Sequence, residues 1–126
     1  MMTPQEIMEM LAEHGKWLVN SKKGARANFK HADFTGANFA GAKLQKSSLS
    51  GCKLSRSIFR GANLISADLY AADLTKADLR DALLIRADLR GAELKGAKLN
   101  GANLQEADFR GGSLILSGGE TVTLPA

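Results

Sequence analysis

Three side chains in this 126-residue chain have the chemistry of a nucleophile, a base or a metal ligand: Cys52, His14 and His31. Nucleophilic catalysis needs a base within reach of the nucleophile and a third group that orients the base. Cys52 is the sole Cys, so neither an internal disulfide nor a Cys-rich zinc site can form. The two His are far apart in sequence and make a poor metal site. We therefore predict that the chain is not an enzyme and has no catalytic residue, metal site or cofactor.

The elements that would have to position such groups repeat every five residues. From Ala27 to Leu116 a large apolar residue stands at the centre of each unit, eighteen times without an insertion. The centres are Phe29, Phe34, Phe39, Leu44, Leu49, Leu54, Phe59, Leu64, Leu69, Leu74, Leu79, Leu84, Leu89, Leu94, Leu99, Leu104, Phe109 and Leu114. Two places before the centre stands Ala in fourteen units, and one place before it stands Asp or Asn in ten. Cys52 takes one of the small positions, which indicates a core residue.

A period of five fits neither a straight helix nor a flat strand. In a helix at about 100° per residue the centres would spread around the whole surface, and in a strand odd spacings alternate between the two faces. Only a chain that bends once per unit keeps all centres in one interior, which is typical of a solenoid. Gly stands at the last position of eight units, where a corner needs freedom in φ. The Asp and Asn side chains are expected to hydrogen-bond local backbone.

The unit resembles the motif of pentapeptide repeat proteins, Ala-(Asp/Asn)-Leu-X-X, which occurs verbatim at residues 67–71 and 102–106. The resemblance covers ninety of the 126 residues. It implies an all-β fold, a right-handed quadrilateral β-helix with four units per coil. Ninety residues then make about 4.5 coils, and at roughly 4.8 Å per coil the solenoid is roughly 22 Å long.

We predict a single domain over residues 1–126, with an N-terminal helical cap at 1–26, the β-helix at 27–116 and a hairpin or tail at 117–126. Thr3 and Glu6 around Pro4 form a capping-box pattern that starts a helix at about Pro4, and the helix is expected to end near Asn20. Its apolar face is expected to cover the first coil, with His14 packed on the same side. That face consists of Ile7, Met10, Leu11, Trp17 and Leu18. A helix presented to a partner or a membrane surface is the alternative.

The C-terminal end has two interpretations. Residues 113–116 and 121–124 alternate apolar and polar residues around 117–120, which predicts a β-hairpin folded on the last coil. The hairpin could close the edge within one chain. Alternatively Ile115, Val122 and Leu124 could form a homodimer contact, since the resemblance implies dimerisation through C-terminal ends.

One column of aspartates could suggest a cation site, but neighbouring arginines offer a simpler interpretation. With four units per turn, Asp68, Asp88 and Asp108 stack in one column roughly 5 Å apart. The column two residues further along holds Tyr70, Arg90 and Arg110. We expect these arginines to neutralise the carboxylates.

Net charge bears on two nucleic-acid roles. The resemblance implies that strongly acidic members mimic duplex DNA and protect DNA gyrase, but this chain has a net charge of +4. A positive net charge would favour weak nucleic-acid binding. However, acidic residues are interleaved with the Lys and Arg residues, and Tyr70 is the one outward aromatic residue of the repeats. Both roles are kept as alternatives, and nucleic acid is not expected as a partner.

The leading hypothesis concerns outward apolar residues. Ile65 and Ile85 are twenty residues apart and should stack, Leu83 replaces the usual Asp or Asn beside Ile85, and Ile58 makes the same replacement on the adjoining side. Such a patch can mark a protein contact. We therefore predict a non-catalytic protein-binding or scaffold protein whose partner is another protein. We expect it in the cytoplasm and off the membrane, since the chain has no apolar run of about twenty residues and no signal-peptide pattern.

Overall fold

The computed structural model describes residues 2–113, and their one helix begins where the sequence places it. Helix α1 spans Pro4–Val19. Thr3 Oγ1 accepts from Glu6 N–H at 3.1 Å, and Glu6 Oε1 accepts from Thr3 N–H at 3.0 Å. The predicted capping box is therefore confirmed, and it satisfies two of the N–H groups that a helix start leaves without partners. At the C-terminal end of the helix, the N–H of the capping residue Asn20 donates to Lys16 O.

The rest of the described chain winds into coils of twenty residues. Fourteen parallel β-bridges each join a residue to the one twenty positions later, from Asn28 with Ser48 to Glu93 with Ser113. Four five-residue units therefore complete one turn. We number the coils one to four (27–46, 47–66, 67–86 and 87–106), with the fifth beginning at 107. The four sides of a coil are its successive units, so the fourth side consists of 42–46, 62–66, 82–86 and 102–106.

Backbone hydrogen bonds join each coil to the next in a fixed pattern. On the fourth side, Leu64 N–H donates to Leu83 O at 2.7 Å, and Ser66 N–H donates to Ile85 O at 2.9 Å. In the opposite direction, Leu83 N–H donates to Ala62 O at 2.9 Å. Every coil thus depends on its neighbours alone, which is the energetic arrangement of a repeat protein.

The predicted all-β fold is built without extended strands. In the described coils each side contributes a single bridge residue, and no strand is longer than one residue. Each side turns immediately after its bridge, as in Ala67 N–H to Leu64 O at 3.0 Å. The last residue of every described unit from His31 to Gly111 has a positive φ, as the third residue of a type II turn does. Eight of these residues are Gly, but nine are not. A side with a corner at each end has no length for an extended strand.

The interior is the single narrow core that the period predicts. In every unit from 47–51 to 102–106 the small residue and the centre are both buried, and the leucine centres from Leu44 to Leu104 are at most 1% exposed. Phe29, Phe34, Phe39 and Phe59 form one aromatic cluster at the N-terminal end, with neighbouring rings 5.2 to 5.3 Å apart. Ile7, Met10 and Leu11 of α1 pack against this core. Helix α1 therefore covers the open end of the first coil.

The predicted C-terminal hairpin, with Ile115, Val122 and Leu124, lies outside the described residues. Within residues 2–113, α1 is neither long nor apolar enough to cross a membrane.

Candidate protein-binding surface

Outward side chains are positioned by a turn that the Asp and Asn residues close. All ten Asp and Asn residues that precede a centre accept, through Oδ1, from the backbone N–H two residues later at 2.9 to 3.2 Å. The expected local bond is confirmed in each case. It holds the residue after the centre outward, so the variable positions form ordered columns on the surface.

Two such columns form what we call the isoleucine face, on the fourth side of the coil. One column is Lys43, Asn63, Leu83 and Asn103, and the other is Gln45, Ile65, Ile85 and Gln105. Leu83 is 38% exposed. In the described coils, Leu83 and Tyr70 are the exposed large hydrophobic residues. Leu83 lies between two asparagines, and the isoleucines lie between two glutamines, so the apolar patch is bounded along the stack by amides.

The isoleucines are less bare than the sequence suggests. Ile65 and Ile85 lie in consecutive coils, as predicted, but both are half-buried. Asn63 Oδ1 accepts from Ile65 N–H at 3.1 Å. Leu83 has no oxygen that could do the same for Ile85. The third coil therefore has an apolar side chain where the second and fourth have a turn-closing amide.

Ile58 lies apart from this patch. It stands on the third side of the coil, bridged to Asn38 and Asp78, and is half-buried. The corner at Gly61 separates it from the isoleucine face. Of the four residues predicted for the patch, the structure thus brings Ile65, Leu83 and Ile85 onto one face and places Ile58 on the next.

Charges around the isoleucine face are unevenly distributed. Lys43 belongs to its N-terminal part and Lys46 borders it, and neither lysine forms an ion pair within residues 2–113. At the C-terminal part, Arg86 and Glu106 form an exposed pair at 3.4 Å. A partner that places acidic side chains beside the two lysines would complement this surface.

Arginines neutralise two of the three aspartates in the column on the first side, as expected, whereas Asp68 has no ion pair within residues 2–113. Asp88 pairs with Arg90 at 2.8 Å, and Asp108 pairs with Arg110 at 2.6 Å. Hydrogen bonds from Arg110 lower the pKa of Asp108 to about 2. Arg90 also lies over the Tyr70 ring, 5.3 Å from its centroid. In the described part of the chain no three His, Cys, Asp or Glu side chains gather in a way that could hold a metal ion.

The predicted core position of Cys52 is confirmed. Cys52 is 1% exposed, and its Sγ donates to Phe29 O at 2.9 Å. Burial raises the pKa of this thiol to about 11, so it is a poor nucleophile. His31 is exposed at a corner of the first coil.

His14 has contacts that its sequence position does not predict. It is completely buried, and it joins α1 to two separate places in the first coil. Ala27 N–H donates to His14 Nδ1 at 2.9 Å, and His14 Nε2 lies 2.8 Å from Gln45 O. The helical spacing places His14 on the packed side, but no signal in the sequence identifies these backbone partners.

Comparison with known proteins identifies the repeat. Residues 24–109 match a family model described as a pentapeptide repeat region. A pentapeptide repeat protein from Nostoc Pcc 7120, alr5209, is 32% identical with a TM-score of 0.54, covering 97% of this chain and 95% of that one. AT2G44920, from the Arabidopsis thaliana thylakoid lumen, is 31% identical with a TM-score of 0.41 and covers 67% of this chain. Rfr23, from the cyanobacterium Cyanothece 51142, is 32% identical with a TM-score of 0.46 and covers 69%.

Coverage in the other direction differs among these structures. The matched part is 62% of the Arabidopsis protein and 60% of Rfr23. No curated protein matches the chain.

Proposed function

Because the chain belongs to the pentapeptide repeat family, whose coil presents ordered columns of side chains, we propose that it is a non-catalytic protein-binding or scaffold protein that binds its partner through the isoleucine face. The observation that supports this most directly is Leu83. It replaces a turn-closing Asp or Asn with an exposed apolar side chain beside Ile85. Leu83 has no side-chain oxygen that could close the turn of its unit, as Asn63 and Asn103 do in the coils before and after it.

The energetic argument rests on what the partner would bury. Ile65, Leu83 and Ile85 are adjacent in register and retain accessible apolar surface. Complete burial of one such side chain is worth about 1.5 to 3 kcal/mol. Because two of the three are already half-buried, the gain on binding is smaller for each. Three together can still form the apolar centre of a small interface, surrounded by the amides of Asn63, Asn103, Gln45 and Gln105.

The alternatives have less support. Mimicry of DNA for gyrase protection needs a markedly negative surface, whereas the chain carries seventeen Lys and Arg against thirteen Asp and Glu. Nucleic-acid binding would have free cations such as Lys43 and Lys46 available, but Arg80, Arg90 and Arg110 are each paired with an Asp two residues before. Tyr70, the exposed aromatic residue of the described coils, is already covered by Arg90. The right-handed, quadrilateral form of the β-helix is inferred from family membership together with the twenty-residue period of the bridges. A reducing, cytoplasmic location fits the free, buried Cys52.

The chain itself provides the replacements for a test. A triple variant, Ile65→Gln, Leu83→Asn and Ile85→Gln, introduces the residues that occupy the same two columns one coil away. Asn at position 83 can close the local turn as Asn63 and Asn103 do. The variant is therefore expected to keep its circular dichroism and thermal midpoint while losing the apolar patch. The matched control is Tyr70→Gln, which removes the other exposed large apolar side chain of the coil, on a different side.

Binding is measured first by quantitative capture from the native host and then with the purified partner by calorimetry. We expect one protein to bind both the natural chain and the Tyr70→Gln variant. The triple variant should bind it at least about tenfold more weakly, which corresponds to about 1.4 kcal/mol. If the triple variant captures the same proteins with the same affinity, the isoleucine face is not the binding surface.

A further inference from the structure

The contact between α1 and the first coil depends on the protonation state of one side chain. A backbone N–H can only donate and a carbonyl can only accept, so the partners of His14 determine its tautomer. Nδ1 must carry a lone pair to accept from Ala27 N–H, and Nε2 must carry the proton that it donates to Gln45 O. Both bonds exist together only in the neutral ring.

Protonation of His14 removes one of these bonds without offering a replacement. A proton on Nδ1 would face the Ala27 N–H, donor against donor, 2.9 Å away. The ring is 0% exposed, so water cannot solvate the charge while α1 stays in place. Trp17 is stacked on the ring at 5.6 Å between centroids. An aromatic face can attract an imidazolium, but it cannot accept the displaced hydrogen bond.

The charged groups around His14 give a cation no compensation. Arg26, in the segment that links α1 to the coil, opposes a positive charge on the ring. On the helix itself, the neighbouring Glu13 is paired with Lys16 at 3.0 Å. On the coil, the two contacting groups are backbone, and Gln45 is followed by the cationic Lys46. Burial, opposed only by the Gln45 bond, lowers the pKa of His14 below its usual 6.5, in agreement with this geometry.

We propose that His14 is a pH-sensitive latch, whose protonation releases α1 from the first coil and uncovers the apolar end of the stack. Apart from the His14 bonds, the backbone link to the helix is Ala25 N–H to Glu13 O at 3.2 Å. Two grooves lie beside the helix. One of about 300 Å³ is lined by residues that include Met10 and Ala27, and one of about 380 Å³ by residues that include Leu11 and Phe39. The helix is therefore held by the apolar packing of Ile7, Met10 and Leu11 together with the two buried bonds of His14.

Release would expose two kinds of binding group. The first is the aromatic end of the core, formed by Phe29, Phe34 and Phe39. The second is a backbone edge. In each later coil the residue before the centre donates its N–H to the coil before. In the first coil no such bond forms within residues 2–113 at Asn28, Asp33, Asn38 and Lys43. An apolar end beside a free edge is a site for another strand or a second chain.

The pH window follows from the direction of the shift. Above pH 6.5 His14 is neutral whether α1 is docked or released, so docking does not depend on pH. Below 6.5 the released state binds a proton that the docked state resists, and the released population rises about tenfold per pH unit. The rise stops below the lowered pKa of the docked state. The latch thus holds at neutral pH and opens as the pH falls from 6.5.

The test uses the full chain and two matched variants. His14→Gln cannot be protonated in this range, and His31→Gln removes the other His of the chain, which is exposed. Trp17 is the only Trp, so its emission reports the docking of α1 directly. Between pH 7.5 and 5 we expect a red shift of that emission in the natural chain and in the His31 variant, and none in the His14 variant. Nitrogen-15 NMR of the natural chain gives the His14 tautomer and its titration without any substitution.

Hydrogen exchange distinguishes release of the helix from general unfolding. Protection factors corrected for the intrinsic pH dependence should fall about tenfold per pH unit at Ala27 and in the last turns of α1. They should stay constant at Leu64 and Leu84, in the central coils. The proposal is overturned if His14 titrates at or above pH 6.5 with no change at Trp17. It is also overturned if the central coils lose protection in parallel, because the effect would then be global.

Discussion

Leu74→Asp places a carboxylate in the middle of the stack, on the second side of the third coil. Leu74 is completely buried, and Leu54 and Leu94, directly before and after it in the same column, are at most 1% exposed. The change removes about 1.5 to 3 kcal/mol of apolar burial. A buried, unpaired carboxylate costs several kcal/mol more. The sum is on the order of 5 kcal/mol or more, which is comparable with the whole stability of a small domain.

Urea unfolding followed by far-ultraviolet circular dichroism measures this loss at pH 7 against two controls. Leu74→Ala keeps the apolar character and should cost about 2 to 5 kcal/mol. Lys76→Asp puts the same charge on the exposed corner two residues later and should change stability little, since Asp81 adopts the same backbone conformation at the next corner. Burial raises the pKa of the introduced carboxyl, so the folded state holds a proton that the unfolded state releases. Relative to Leu74→Ala, the Leu74→Asp variant should therefore recover stability as the pH falls toward 4.

Two results would refute the reasoning about Leu74. One is a Leu74→Asp variant as stable at pH 7 as Lys76→Asp, which would mean that position 74 does not lie inside the stack. The other is a deficit that does not shrink as the pH falls, because the cost would then not come from a buried charge.

Three further changes test the corners, the surface pairs and the core thiol. Gly61→Ala should lower the free energy of unfolding by about 1 kcal/mol, because φ is +67° there although a Cβ would meet no atom within 4 Å. Ala71→Gly, at a corner with φ of 55°, should show no such loss in the same urea experiment. Arg110 lowers the pKa of Asp108 to about 2. The stability that the Asp108–Arg110 pair contributes is therefore complete above about pH 3.9, the pKa of Asp in the unfolded chain, and is lost as the pH falls through 2. In the Asp108→Asn variant the unfolding midpoint should therefore depend less on pH in the acid range, while the Asn side chain still closes the local turn. Cys52→Ala should change stability by about 1 kcal/mol or less, and Cys52, whose pKa is raised to about 11, should react with a thiol reagent only after unfolding.

Local features were predictable because their causes are local. The capping box needs Thr3 and Glu6 at a spacing of three, and the turn-closing bond needs an Asp or Asn two residues before its donor. The pairing of Arg90 with Asp88 also needs only that spacing, once the column points outward. In each case the interacting groups are fewer than five residues apart in sequence.

The candidate surface was predicted in part. The spacing of twenty places Ile65 and Ile85 together, but their burial depends on the side chains of neighbouring columns, which no single unit contains. Ile58 was grouped with them because the third and fourth sides adjoin, and the corner at Gly61 divides them. Positive φ at corners such as Lys76 and Asp81 was also unexpected, because residue type alone favours Gly there. The surrounding hydrogen bonds of the coil impose that conformation.

By itself the sequence determined that this chain has one narrow interior, since a large apolar residue at every fifth position can be buried only if the chain bends once per unit. It also determined where the helix begins and which positions face outward. The tertiary structure alone decided that His14 joins α1 to Ala27 and Gln45. It also decided that, of the three apolar residues of the isoleucine face, Leu83 is exposed while Ile65 and Ile85 are half-buried. The physical reason is that periodicity specifies a direction for each side chain. The contact between a helix and a coil, or between neighbouring columns, depends instead on distances across the closed structure.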